Sequence, residues 1–266
     1  MTDVYWLEQT AADVPTGNDW LSAAERLRLQ GMRFAKRRAD WRLGRWTAKC
    51  ALAIVLDLSQ EPESLATIEI RTLPSGAPEV FLDALSSRVS LSLSHCAGRA
   101  VCAVALNSVA VGCDLERIEP HSDAFAADYF STGEQAMVAQ SAAAERSRLL
   151  TLLWSAKESA LKALQVGLRL DTRSVSVSPG SSLAGFSAWQ RLCVHHADGG
   201  VFHGWWRQAG DFVHTLVADP PPGSPIVLRQ RGCVACPPAG GGLHVEAGVS
   251  CRFSSTAEEN NRLCRR

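Results

Sequence analysis

Val109-Ala110-Val111-Gly112-Cys113-Asp114-Leu115-Glu116 is the stretch on which the fold turns. Side chains of an extended chain alternate, so Val111, Cys113 and Leu115 share one face and Gly112, Asp114 and Glu116 the other. One face is fit for a core, and the other holds two carboxylates side by side. Just upstream, Val89, Leu91 and Leu93 alternate with Ser90, Ser92 and Ser94, which predicts a half-buried strand ending at His95. Cys96 to Arg99 can turn the chain into a second strand, Ala100 to Leu106.

Further out, helical spacing takes over. From Leu21 to Leu56 the apolar residues Leu43, Trp46, Cys50 and Ile54 recur three or four apart, with basic residues between them, predicting one long helix with a positive side. Leu73 to Pro78 has turn chemistry. Downstream, Ser131 and Glu134 have capping-box spacing at the head of a helix to Gln140, and a second helix is predicted over Glu145 to Val166. Strands are expected near Arg173 to Val177 and Val201 to Arg207, the latter pairing with Phe212 to Ala218. Helices and strands thus occur twice in similar order, which suggests two related halves, 1–107 and 108–219, although no residue-level repeat is obvious. After Asp219 the prolines and glycines break any regular element, and 220–266 reads as a disordered tail.

A chain of 266 residues, 46% apolar and 20% charged, has material for one large core or two modest ones and should be a soluble globular protein. Met1 to Leu7 shows no basic stretch followed by an apolar run, so a cytoplasmic location is expected. Ala100 to Cys113 is too short to cross a bilayer, and neither a membrane nor a nucleic acid is expected as a partner. The net charge is zero, yet Arg26, Arg28, Arg33, Lys36, Arg37, Arg38, Arg42, Arg45 and Lys49 crowd one segment, which suits either a solvated helix face or an anionic ligand. Nine cysteines is an odd number, and those from Cys50 to Cys193 sit singly in apolar patterns, as reduced core thiols do. In the tail, Cys233-x-x-Cys236 resembles half a zinc knuckle, but Cys251 and Cys264 lack matching spacing.

Adjacent carboxylates repel, so Asp114 and Glu116 are wasteful in a sheet unless a hard cation such as Mg²⁺ collects their oxygens. Trp154-Ser155-Ala156-Lys157-Glu158-Ser159-Ala160-Leu161-Lys162 stacks Trp154, Glu158 and Lys162 on one helix face. An exposed Glu–Lys pair contributes only about 0.3 to 0.5 kcal/mol and usually means nothing more, but a tryptophan beside it argues against an open face. Ser94-His95 precedes a glycine-containing turn where an anion could be met. His195, His196, His203 and His214 show no nucleophile or metal spacing.

Together, the segments Val111 to Glu116 and Trp154 to Lys162 resemble the two signature motifs of the 4′-phosphopantetheinyl transferase superfamily. Further resemblance is carried by Ser94-His95, Gly76-Ala77-Pro78, Phe130-Ser131-Thr132-Gly133-Glu134 and Arg38-Ala39-Asp40-Trp41-Arg42-Leu43-Gly44-Arg45. The length and tandem halves resemble the monomeric, surfactin-synthetase-activating type. The resemblance implies an α+β fold of two pseudo-symmetric halves, each a small mostly antiparallel sheet on helices, with the active site between them. It also implies Mg²⁺-dependent transfer of phosphopantetheine from coenzyme A to a serine of an apo acyl or peptidyl carrier protein. Asp114, Glu116 and Glu158 would then hold Mg²⁺, Lys162 the coenzyme A phosphates, and Ser94, His95, Arg38 and Arg45 the nucleotide end. Glu158 is the expected base and Glu134 an auxiliary acid or base. Ala77 stands where some members carry a lysine or arginine. Two other readings stay open: another Mg²⁺-dependent phosphotransfer enzyme, and a non-catalytic carrier- or nucleotide-binding homologue.

Overall fold

A computed structural model describes residues 1–180 and 187–229. These fall in one compact unit, Met1–Gln230. In chain order they form β1 (Val4–Thr10), α1 (Ala23–Gln30), α2 (Ala35–Val55), α3 (Pro62–Thr67), β2 (Ile68–Thr72), β3 (Pro78–Leu82), β4 (Leu85–Ser86), β5 (Val89–Cys96), β6 (Arg99–Leu106) and β7 (Ala110–Arg117). There follow α4 (Asp123–Tyr129), α5 (Thr132–Gln140), α6 (Ala143–Ala163), β8 (Val175–Pro179), β9 (Gln190–His196), β10 (Val201–Ala209), β11 (Phe212–Asp219) and β12 (Ile226–Val227).

The strands make sheets ordered β12-β1-β6-β5 and β7-β11-β10-β9-β8, with a small third sheet β2-β3-β4. All pairs are antiparallel except β1 with β12. Side-chain alternation on β6 sends Cys102 and Val104 against α2, and Val101, Ala103 and Ala105 against Val111, Cys113, Leu115 and Leu216 of the facing sheet. The second sheet turns Val177, Val194, Trp206 and Val213 onto α6. The layers therefore run α2, first sheet, second sheet, α6, with a core at each junction. Each fully buried Leu or Val in these cores contributes roughly 1.5–3 kcal/mol.

The α+β class and the antiparallel sheets on helices agree with the expectation, and the two halves correspond more closely than the bare sequence suggested. Strand, 21-residue helix and hairpin recur as β1, α2, β5–β6 and as β7, α6, β10–β11, with matching strand orders β1-β6-β5 and β7-β11-β10. Each helix buries a lysine that binds the glutamate of a capping box. Lys49 meets Glu25 at 2.6 Å and the carbonyls of Trp20 and Leu65, while Lys157 meets Glu134 at 2.8 Å and the carbonyl of Thr172 at 2.8 Å. Glu25 also accepts from the amides of Ser22 and Ile70, and Glu134 from those of Ser131 and Val177. Set on these lysines, Trp46-Thr47-Ala48-Lys49 aligns with Trp154-Ser155-Ala156-Lys157.

Three expectations need correction. The helix predicted over Leu21 to Leu56 is two helices, because the Ser22–Glu25 capping box starts a short one that stops at Gly31. Residues 220–229, read as the start of a disordered tail, run back along the first sheet, where β12 pairs with Tyr5 and Trp6 of β1. The rest of that tail, with Cys233, Cys236, Cys251 and Cys264, lies outside the described residues. β1, β2, β3, β4, β9 and β12 are additional strands.

Candidate active site

The edges of the two main sheets meet where β5 lies beside β7. There the amide of Cys113, unpaired on an edge strand, donates to Ser92 Oγ at 2.9 Å. One residue on, Ser94 Oγ donates to Asp114 Oδ1 at 2.7 Å. Asp114 is buried and pairs in register with Thr215 of β11. The Thr215 hydroxyl bonds those of Ser155 and Ser159 at 2.8 and 2.7 Å, seating α6 across the strand. Close approach is possible because residue 112 is glycine: a Cβ there would stand 1.8 Å from Ser159 O.

This seating brings α6 to the carboxylates. Lys162 Nζ donates to Asp114 Oδ1 at 2.6 Å and to Cys113 O at 3.1 Å. Asp114 Oδ2 is buried and has no hydrogen-bond partner. Half-buried Glu116 accepts from Trp154 Nε1 at 3.3 Å. Its carboxyl is pushed up to about 8, first by burial and then by Asp114, with Glu158 adding to this against Lys162 and Trp154. Glu158 is raised to about 7, by burial first and Asp114 second. Burial opposes the charge of Lys162, but Asp114 and Glu158 outweigh it and hold the ammonium above its ordinary range.

Three carboxylates thus share one lysine and repel one another. The all-oxygen donor set and the unpartnered Asp114 Oδ2 fit a hard divalent cation. Among the described residues no three His, Cys, Asp or Glu side chains are already drawn around one point. The fit therefore rests on donor chemistry and charge.

The other residues singled out by sequence divide. His95, at the end of β5, lies against α2, since a Cβ on Gly44 would stand 3.8 Å from its Cδ2. Its imidazole edge is open to solvent, yet desolvation against α2 holds it below its ordinary range, helped by Lys162 and Lys36 and opposed by Asp40. Lys36 and Asp40, a turn apart on the face that ends at Gly44, are therefore neighbours of His95, and the sequence reading takes them only as parts of longer segments. Ser94 reaches the site, but its hydroxyl proton is committed to Asp114.

Arg45 does not reach the site. It is buried, 3.8 Å from Glu25, with its guanidinium 5.3 Å from the Trp41 ring, and burial pushes it down to about 10. Arg38 is exposed and lines a shallow depression with Asn18 and Arg42, roughly 200° around α2 from Lys36 and Asp40. Glu134 is 2% exposed and wholly engaged by Ser131, Val177 and Lys157. Its geometry is that of a structural clamp and not of an acid or base facing substrate.

Residues 110–217 match the family profile described as the 4′-phosphopantetheinyl transferase superfamily. No curated protein sequence matches the chain. Among solved structures it is similar to a holo-(acyl-carrier-protein) synthase from Bacillus anthracis in complex with CoA (3′,5′-ADP), at 25% identity and TM-score 0.34, over 40% of this chain and 96% of that one. It is also similar to the Helicobacter pylori holo-[acyl-carrier-protein] synthase in complex with coenzyme A, at 21% identity and TM-score 0.31, over 39% of this chain and 98% of that one. The corresponding Thermotoga maritima synthase gives 22% identity and TM-score 0.33, over 41% and 62%. The stretch that matches this family profile, residues 110–217, contains Asp114, Glu116, Glu158 and Lys162.

Proposed function

We propose that this protein transfers the 4′-phosphopantetheine group of coenzyme A to a serine of an apo acyl or peptidyl carrier protein, acting as a cytoplasmic monomer with Mg²⁺. The observation that carries the reading is Asp114, fixed by Ser94 and Lys162 with one oxygen left unpartnered, beside two carboxylates of raised pKa. Asp114, Glu116 and Glu158 would hold the cation, which when bound supplies charge neutralisation to the pyrophosphate.

In the transfer, the carrier serine Oγ forms a bond to the β-phosphorus, and the bond from that phosphorus to the bridging oxygen breaks. Adenosine 3′,5′-bisphosphate leaves with the electron pair. The serine proton passes to Glu158. Lys162, charged throughout, faces the negative charge that develops on the phosphoryl oxygens. Ser94 holds Asp114 in place, and Lys36 with His95 lines the wall where the nucleotide phosphates would lie.

Incubation with coenzyme A, Mg²⁺ and an apo carrier protein, followed by intact mass measurement, tests this. A gain of one phosphopantetheine is expected, and Asp114→Asn should lower its rate about 100-fold or more while leaving the circular dichroism spectrum unchanged. An unmodified carrier would overturn the reading. Coenzyme A cleaved with the carrier untouched would point to a hydrolase instead.

A further inference from the structure

The second sheet has an open face on β8, β9 and β10. Leu192 and Val194 of β9 enter the core, so Arg191, Cys193 and His195 point the other way. Strand register sets Cys193 between Ser178 of β8 and His203 of β10. Its Sγ lies 3.4 Å from His203 Nδ1. Cys193 is half-buried, whereas His203 and His195 are exposed. The neighbours on this face are Ser176 and Ser178 of β8, Arg191 and His195 of β9, and Val201 and Trp205 of β10, with no carboxylate among them. A partly exposed thiol hydrogen-bonded to an imidazole that can take its proton is placed to react as a nucleophile. Cys50, Cys102 and Cys113 are buried, and burial pushes the Cys102 and Cys113 thiols up.

We propose that Cys193, activated by His203, is a modification site that takes up low-molecular-weight disulfides. The thiol proton passes to His203 Nδ1 as Sγ attacks one sulfur of the disulfide R–S–S–R. The S–S bond breaks, a protein–S–S–R bond forms, and the departing thiolate recovers the proton as R–SH. Cys193 is oxidised and one sulfur of the small disulfide is reduced. β9 is separated from β7 by β10 and β11, about 14 Å at the usual strand spacing, so this chemistry is independent of the Asp114 site.

The test uses the full chain and the aromatic disulfide 5,5′-dithiobis(2-nitrobenzoate) at pH 7, with peptide mass mapping to assign each reacting cysteine. Cys193 should react about tenfold or more faster than half-buried Cys96, and His203→Gln should slow Cys193 about tenfold with transferase activity unchanged. A Cys193 rate no greater than that of Cys96, or one unmoved by His203→Gln, overturns the proposal. Should His203→Gln fail to fold, the wild-type rates alone decide: a Cys193 rate about tenfold above that of Cys96 supports the proposal, and an equal or lower one overturns it.

Discussion

Removing the Glu134 side chain separates a structural role from a catalytic one. In Glu134→Ala the amides of Ser131 and Val177 lose an acceptor, and the Lys157 ammonium, 0% exposed, loses its close carboxylate and keeps the carbonyls of Thr172 and Val175 and the Phe130 ring. Breaking a buried ion pair by deleting one partner costs about 3–5 kcal/mol, because the remaining charge is stranded. At about 2–4 °C per kcal/mol for a domain of this size, the unfolding midpoint should fall by about 6–20 °C. Thermal unfolding followed by circular dichroism measures the midpoint, and transfer assays well below it measure turnover per folded molecule, which should stay near wild type. Glu25→Ala, which strands Lys49 in the first half, should fall by a similar amount. Pairing Glu134→Ala with Lys157→Met should cost less than the two singles combined, since an apolar replacement strands no charge. An unchanged midpoint with lost turnover would refute the clamp and return Glu134 to the catalytic set.

Mg²⁺ should stabilise the protein more at pH 8 than at pH 6. Glu116 and Glu158 have folded pKa values raised to about 8 and 7, so their contribution is present below about 4.5 and is lost as pH rises through 7 to 8, where bound cation would offset the repulsion. Equal midpoint shifts at the two pH values in a melting assay would argue against a cation on these carboxylates. Glu8, bound by Arg99, Arg207 and His214 where the sheets face each other, behaves in the opposite sense. Burial pushes it up, but those partners bring it down to about 2, so its stabilisation is present above about 4.5 and lost as pH falls through 2. Glu8→Gln should lose about 2–3 kcal/mol in urea unfolding at pH 7, with the deficit shrinking below pH 4. Gly112→Ala should cost about 1–3 kcal/mol or more by prising β7 from α6, and should depress transfer because Asp114 lies two residues away. Wild-type turnover in that variant would mean that the contact is not needed for the site.

The elements legible in the sequence are those whose residues alternate or that carry an explicit cap. β5 and β7 alternate apolar residues with small or polar ones, and α5 carries its capping box. β1 lies between β12 and β6 with Val4, Trp6 and Leu7 all buried, so it has no polar face to create alternation. Among the site residues, Asp114, Glu116, Glu158 and Lys162 were legible because strand and helix periods already put each pair on one face. Arg45 was misplaced because helical spacing says which residues share a face, without saying that this face turns inward to Glu25. The capping box of Glu134 was visible too, but its lysine comes from another helix. Likewise Cys193 and His203, ten residues apart, meet only through strand register.

The repeated helices show how two similar halves come to differ in chemistry. With Lys49 set on Lys157, Trp46 aligns with Trp154, Cys50 with Glu158 and Ile54 with Lys162. The aligned tryptophans and lysines build the frame in both halves, as the paired clamps with Glu25 and Glu134 show. Chemistry requires a gap in that frame. Cys50 is 0% exposed in the first core, where a carboxylate would be desolvated without a partner, so this position suits a small apolar side chain. Its counterpart Glu158 stays half-exposed at the seam where β5 and β7 meet, and Gly112 lets α6 ride close enough for Lys162 to reach Asp114. The acids are therefore confined to the half whose helix borders an open seam, while the first half contributes Ser94, His95 and Lys36 as the opposing wall.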